Sequence, residues 1–260
     1  MNKYTEKQKQ LEREGRFDTD LLPYRTDNMR LIDEHYPFGF TFAEKLCRGI
    51  VLSLLYLVIR PLLFFSCGFR IRGKENMKGV KGAIVITNHV HYFDCLMAEP
   101  LHSYFKGFHT GAGFNAKRDI RGWFLHILGF LPLNGSFGAQ KNLKKRIGEI
   151  LQMGGLVQFY PEHALWQGYK KPRPFKNGAF RYACDFSVPV IPTFITFEKG
   201  FLRRERAVLN VLPPVYPDKE LSGKQQVERL RDESFAAFRA CYEKAYGIPL
   251  VYEEKISESC

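Results

Sequence analysis

Acidic residues are scarce in this sequence. Its 260 residues hold 27 Asp and Glu against 39 Lys and Arg, a formal net charge of +12. Such a chain seeks anionic partners: anionic lipid, an acidic carrier protein, an acidic substrate or nucleic acid. Cysteine is sparse too. Cys47, Cys67, Cys95, Cys184, Cys241 and Cys260 include no C-x-x-C pair, which excludes a zinc ribbon or a thioredoxin motif and leaves the thiols as small buried hydrophobes. Trp occurs twice against 23 Phe, and no aromatic platform or recognition motif sits among the basic residues, so nucleic acid is not an expected partner. No solenoid-length repeat is present. The charged start of the chain, residues 1–14, has no apolar signal-peptide core, so a reducing cytosolic setting is expected.

Long apolar runs are missing as well. The most apolar segment, residues 49–69, is interrupted by Arg60-Pro61. Its unbroken part, residues 49–59, makes a helix of about 16 Å, against a hydrocarbon core of about 30 Å. A simple span is therefore marginal. Two short helices broken at Pro61 and dipping into one leaflet fit better, with Arg60 snorkelling and Lys45 and Arg48 meeting lipid phosphates. A true span and a buried core helix are the alternatives. The expected organisation is a polar N-terminal arm over 1–40, a membrane-associated helical hairpin or interfacial helix over 41–68, a catalytic-sized domain over 69–250 and a tail over 251–260. In the arm, a helix over 7–14 and an aromatic-anchored turn over 36–40 are expected.

From residue 69 the pattern alternates. Short β-branched runs predict strands at 69–73, 83–87, 107–114, 130–133, 156–160, 190–196 and 207–212. Helical periodicity predicts helices at 94–104, 120–128, 140–153 and 178–186, and Ser222 with Gln225 forms a capping-box pattern opening a helix that stops at Gly247. The alternation predicts an α/β fold, a mixed, mostly parallel sheet flanked by helices, behind the N-terminal membrane-associated element.

The sharpest chemical signal is Thr87-Asn88-His89-Val90-His91-Tyr92-Phe93-Asp94, directly after a buried strand. Catalytic groups in open α/β sheets sit at the carboxyl ends of strands. His89 there suits a general base, and Asp94 would fix its tautomer and stabilise the imidazolium. A five-residue offset lets the two meet only if His89 precedes a helix and Asp94 lies in its first turn. Two other readings stay open. His89, His91 and Asp94 form a loose metal-ligand pattern, but His35, His102, His109, His126 and His163 are scattered and no metal is expected. Alternatively, Asn88 caps the helix and the histidines merely pack.

Asn88-His89 with Asp94 resembles the N-H-x-x-x-x-D motif of the glycerolipid acyltransferases, the family of lysophosphatidic acid (1-acylglycerol-3-phosphate) and glycerol-3-phosphate acyltransferases. Three further blocks follow in that family's order over residues 69–215: Ala116-Lys117-Arg118-Asp119-Ile120 with Gly129-Phe130-Leu131-Pro132-Leu133; Phe159-Tyr160-Pro161-Glu162 with Phe175-Lys176-Asn177-Gly178-Ala179-Phe180; and Val188-Pro189-Val190-Ile191-Pro192-Thr193. The resemblance implies a fatty acyl transfer from acyl-CoA or acyl carrier protein to a hydroxyl of a lysolipid acceptor, at the cytoplasmic face of an anionic membrane, without cofactor. It implies that His89 is the base oriented by Asp94, and that backbone N–H groups near Lys117 and Arg118 hold the oxyanion. It further implies that Glu162 hydrogen-bonds an acceptor hydroxyl, and that Asn88, His163, Lys176 and Gly178 belong to substrate-contacting blocks.

The family's third block usually reads Phe-Pro-Glu-Gly-Thr-Arg-Ser. Here Tyr160 opens it, His163 takes the glycine's place and Leu165 the arginine's, while Asn134-Gly135 stands where the second block usually ends in arginine. Lys171 or Arg173 is the expected substitute for these phosphate-holding arginines, and Trp166 with Tyr169 an expected wall for a bulkier headgroup. The basic residues Lys117, Arg118, Arg121, Lys141, Lys144, Lys145 and Arg146, and the cluster Arg203, Arg204 and Arg206, are expected to attract anionic lipid or an acidic carrier. A glycolipid or amino-lipid acceptor, or a catalytically inactive lipid-binding protein, are the alternative readings.

Overall fold

The computed structural model describes residues 3–21, 28–92, 94–98, 107–200 and 205–253. Arg203 and Arg204, residues 99–104 of the expected helix and the end of the tail lie outside the described residues. Seven strands form one sheet: β1 (Arg70–Arg72), β2 (Ala83–Thr87), β3 (Gly107–Ala112), β4 (Phe130–Leu133), β5 (Leu156–Phe159), β6 (Val190–Lys199) and β7 (Glu205–Val211). Their order is β1-β7-β6-β2-β5-β3-β4, parallel throughout except for the antiparallel β6–β7 pair. This is the mixed, mostly parallel sheet that the alternation predicts.

Side chains alternate across each strand, so the sheet has two faces. Ile84, Ile86, Val157, Phe159, Val190 and Phe194 belong to one core cluster. That cluster also holds the apolar stripes of α5 (Phe137–Gln152), α6 (Gly178–Asp185) and α7 (Gly223–Tyr246), through residues such as Ile147, Phe180 and Phe238. Ala83, Val85, Ile191, Ile195 and Leu209 form a second cluster on the other face, with Met97 of α3 (Asp94–Ala98). The β2 residues are fully buried on both faces, as the short run Ala83-Ile84-Val85-Ile86 requires of a central parallel strand.

Local chemistry sets the helix ends. Asp119 accepts from the backbone N–H groups of Arg121 and Gly122 and so opens α4 (Ile120–Ile127). Ser136 does the same for α5 through Ala139 N–H. Gly247, at φ 68°, closes α7. The capping box expected at Ser222 is not formed, since that side chain makes no cap hydrogen bond.

The expected break at Pro61 is corrected. α2 (Phe42–Cys67) runs through Pro61 as one 26-residue helix. Arg48 is also corrected. It is 3% exposed and donates to the carbonyls of Ile127 and Gly107, both at 2.6 Å, so it pins α2 to the sheet instead of meeting lipid phosphates. The side chain of Arg60 lies outside the described residues. The opposite face of α2 is apolar and open: Leu46, Ile50, Leu54, Leu57, Val58, Leu62 and Phe65 are all more than half exposed. Among the described residues no helix is long and apolar enough to cross a membrane.

The arm is anchored as well as polar. α1 (Lys3–Arg13) and the chain after it seat Leu11, Phe17 and Leu21 against Trp166 and Tyr169. Tyr36 and Phe38 are buried, matching the expected aromatic turn. Cys47, Cys95, Cys184 and Cys241 form no disulfide and are half-buried, less enclosed than expected.

Candidate active site

Parallel pairing brings the carboxyl ends of β2, β5 and β3 together. Ile86 pairs with Phe159 and His109 with Gln158, so the segments after β2 and β5 leave the sheet side by side. His89 follows β2, and Asp94 opens the short helix α3, the geometry that the spacing required. His89 Nδ1 lies 2.6 Å from Asp94 Oδ2. The Asp94 side chain is 2% exposed and that of His89 23%, so the carboxylate is enclosed and the ring reaches open space. Nδ1 is committed to the carboxylate, which leaves Nε2 as the ring nitrogen without a hydrogen-bond partner among the described residues.

A residue that the motif reading passed over completes the dyad. Tyr160 stacks on His89, with ring centroids 4.1 Å apart and planes 23° apart, and its hydroxyl donates to Asp94 Oδ1 at 2.9 Å. Burial pushes that hydroxyl well above the usual tyrosine range, and the Asp94 charge pushes the same way. The only sequence signal was its departure from the family's Phe. Burial lowers His91 below the ordinary histidine value, against the opposing pull of Asp94.

Glu162 and Arg173 meet elsewhere than expected. Both side chains are fully buried, with Arg173 Nη2 2.7 Å from Glu162 Oε2. Glu162 also accepts from Arg173 Nε at 3.1 Å, Arg173 N at 3.0 Å and His89 N at 3.3 Å. Arg173 donates onward to the carbonyls of Phe17, His89 and Ala164. The pair is thus a buried clamp that holds the His89 segment, the Glu162 turn and the arm in register. It corrects the expectation that Arg173 reaches an acceptor phosphate and Glu162 an acceptor hydroxyl, because every donor and acceptor involved already has a protein partner.

Several other expected substrate contacts also have protein partners. Asn88 is buried and exchanges two hydrogen bonds with the Ile195 backbone, locking the end of β2 to β6. It neither caps a helix nor lines the cavity described below. Lys171 is paired with the buried Glu12 at 2.5 Å and Lys176 with Asp18 at 2.7 Å. Gly178 starts α6, where a Cβ would meet nothing within 4 Å. Lys117 N–H donates to Asn115 O and Arg118 N–H to Asn28 O, both at 2.9 Å, so neither amide is free to hold an oxyanion. The Arg118 side chain is exposed. Trp166 is fully buried, donates to Thr19 O and lies under the Arg173 guanidinium, which removes it as a headgroup wall. His163 is exposed at φ 73°, the left-handed region that explains why glycine suits this position.

The dyad opens into a cavity of about 900 Å³, within the range of small-molecule sites. Its walls are largely apolar, with Leu52 and Leu55 from α2, Leu125 and Leu128 at the end of α4, and Phe130 from β4. Leu165 and Asn134-Gly135, the two positions of the missing arginines, line the same cavity, as do Asp20 and His163. No Lys or Arg lines it among the described residues. No group of three or more His, Cys, Asp or Glu among those residues is placed to hold a metal.

Residues 68–196 match the family model described as Acyltransferase. The chain is 23% identical over 209 residues to a 1-acyl-sn-glycerol-3-phosphate acyltransferase of Saccharomyces cerevisiae, covering 73% of this chain and 65% of that one. It is 28% identical over 159 residues to the chloroplastic 1-acyl-sn-glycerol-3-phosphate acyltransferase BAT2 of Brassica napus, covering 57% of this chain and 45% of that one. The chain therefore spans less than two thirds of either relative. Its fold resembles the 1-acyl-sn-glycerophosphate acyltransferase PlsC of Thermotoga maritima, with a TM-score of 0.58 at 19% identity, over 82% of this chain and 86% of that one.

Proposed function

We propose that this chain, which belongs to the acyltransferase family, moves a fatty acyl group from the thioester of acyl-CoA or an acyl carrier protein to a hydroxyl of a lysophospholipid-like acceptor. The observation that carries this reading is the His89–Asp94 contact at 2.6 Å, opening into an apolar cavity of about 900 Å³. His89 Nε2 takes the acceptor's hydroxyl proton as that oxygen attacks the thioester carbonyl. The tetrahedral adduct collapses and expels the thiolate, which takes the proton from His89 and leaves as a thiol. Asp94 keeps Nδ1 protonated and stabilises the imidazolium between these steps. The acyl chain lies among Leu52, Leu55, Leu125 and Leu128.

The open stripe on α2 supports work at the cytoplasmic face of a membrane. Leu55 of α2 lines the cavity while Leu54 and Leu57 face outward, so one helix with its outer face in the headgroup region would feed lipid directly to His89. Ile120 and Trp123 of α4, both exposed beside Arg118 and Arg121, extend that surface.

One observation favours a second reading of the acceptor. A phosphate monoester carries about −1.5 to −2 charge and needs cationic partners when enclosed. Lys171, Arg173 and Lys176 are paired elsewhere, and the described cavity wall offers Asp20 instead of a cation. A glycolipid or amino-lipid acceptor fits that wall better. The test is acyl transfer from a labelled thioester, in mixed micelles, to lysophosphatidic acid, lysophosphatidylethanolamine and a neutral lyso-glycolipid in parallel. Product with any of them supports acyl transfer, and the preferred acceptor decides between the readings. Thioester hydrolysis without product on all three would contradict both.

A further inference from the structure

We infer that the Tyr160 hydroxyl is a positioning group of the dyad: by donating to the Asp94 oxygen that His89 leaves free, it sets how tightly His89 holds its proton. The inference rests on the acyl-transfer reading above, and it concerns a residue that the family's usual block does not supply.

Four observations carry it. Asp94 is enclosed, and its two oxygens are divided between two donors, Oδ2 with His89 Nδ1 at 2.6 Å and Oδ1 with Tyr160 Oη at 2.9 Å. The direction of the Tyr160 bond is fixed from behind, because Gln158 Nε2 donates to Tyr160 Oη at 3.2 Å and to Thr87 Oγ1 at 3.0 Å. Gln158 is itself oriented, since its Oε1 faces His109 Nδ1 at 2.7 Å. Thr87 in turn donates to Thr193, which donates to Ile86 O. Each hydrogen in this buried row thus has one acceptor, and the Tyr160 proton is left with Asp94. Register puts the row there: Gln158 pairs with His109 across β3–β5, and Thr87 with Thr193 across β2–β6, with His109 on the cavity wall.

A carboxylate that accepts two hydrogen bonds spreads its charge over both donors and holds an imidazolium less strongly than one that accepts a single bond. Removing the Tyr160 hydroxyl should therefore strengthen the hold of Asp94 on the imidazolium. The other titratable groups around the dyad among the described residues are His91, Tyr92, Cys95 and His109, with Asp20 and His163 also on the cavity wall. Glu162 and Arg173 beneath the His89 backbone compensate each other as a pair. None of these changes when Tyr160 becomes Phe, which keeps the stacked ring and removes only the hydroxyl.

The test is the pH profile of kcat/KM for thioester-dependent acyl transfer by wild type and Tyr160→Phe. The acid limb should move to higher pH by about half to one unit, so that the rate on that limb falls roughly 3- to 10-fold while the alkaline plateau and the thioester KM stay within about twofold. In an Asp94→Asn background, where no carboxylate remains, the same change should produce no further shift. An unmoved limb overturns the inference, and so does an equal shift in both backgrounds, which would mean that Tyr160 does not act through Asp94. With His89→Ala inactive, such a result leaves the acyl-transfer reading standing. Activity retained by His89→Ala would instead overturn that reading and this inference together.

Discussion

Replacing Glu162 by Gln removes one charge from the buried clamp and nothing from its shape. Arg173, fully buried, then keeps its guanidinium charge without the counter-ion at 2.7 Å. One amide oxygen must serve donors now shared between two carboxylate oxygens: Arg173 N on Oε1, and Arg173 Nε, Arg173 Nη2 and His89 N on Oε2. Breaking a buried ion pair by removing one partner costs about 3–5 kcal/mol. For a domain of this size, each kcal/mol moves the melting temperature by about 2–4 °C, so a drop of roughly 6–20 °C is expected in a thermal melt followed by circular dichroism. Activity at a temperature where the variant is folded should fall through kcat, because His89 N loses its anchor, while acceptor KM stays near wild type. The Arg173→Met change should cost much less in the Glu162→Gln background than in the wild type, since the two positions act as one unit. An unmoved melting temperature together with a large rise in acceptor KM would refute the clamp and return Glu162 to the substrate.

Two further perturbations read other parts of the account. Burial lowers His126 below the ordinary histidine value, more than Glu44 at 3.6 Å raises it, and burial lowers His91 likewise. The unfolded chain therefore binds more protons than the folded one just below about pH 6.5, so the stability these groups allow is fully present above that value and is lost as pH falls. The melting temperature should be lower near about pH 5.5 than near about pH 7.5, with a shallower slope in His126→Gln; equal slopes in the two proteins would contradict this. On the open face of α2, Leu54→Asp with Leu57→Asp should weaken binding to anionic vesicles by about 3 kcal/mol or more, on the order of a hundredfold, without changing the melt. Unchanged co-flotation would remove α2 from the membrane surface.

Much of the fold was legible because it rests on period and local chemistry. The fully buried run of β2, the stripes of α5 and α6, and the glycine stop of α7 each lie within a few residues of chain, and the structure follows them closely. Pro61 misled because a helix tolerates proline where its neighbours still pack, and α2 is held on the sheet side by Arg48 and Leu52. In the site, the meeting of His89 and Asp94 was legible because both belong to one strand-to-helix turn. The partners of Glu162, Asn88 and Lys171 were not. Each is fixed by a contact far along the chain, to Arg173 and the His89 segment, to Ile195 and to Glu12, and nothing in local spacing distinguishes a buried clamp from a substrate ligand. Tyr160 was hidden for the same reason: its role appears only when β2 and β5 are laid side by side.

The most direct test of the whole account is turnover by His89→Ala. Thiol release and acylated product would be followed with the purified protein and a long-chain acyl thioester in mixed micelles, at a pH where the wild type is fully active. General-base catalysis is worth about 10²–10⁴ in rate, so turnover should fall at least about 100-fold while the melting temperature and thioester binding remain those of the wild type. Turnover within a few-fold of wild type, by a variant of unchanged stability, would contradict the claim that His89, held by Asp94, is the base.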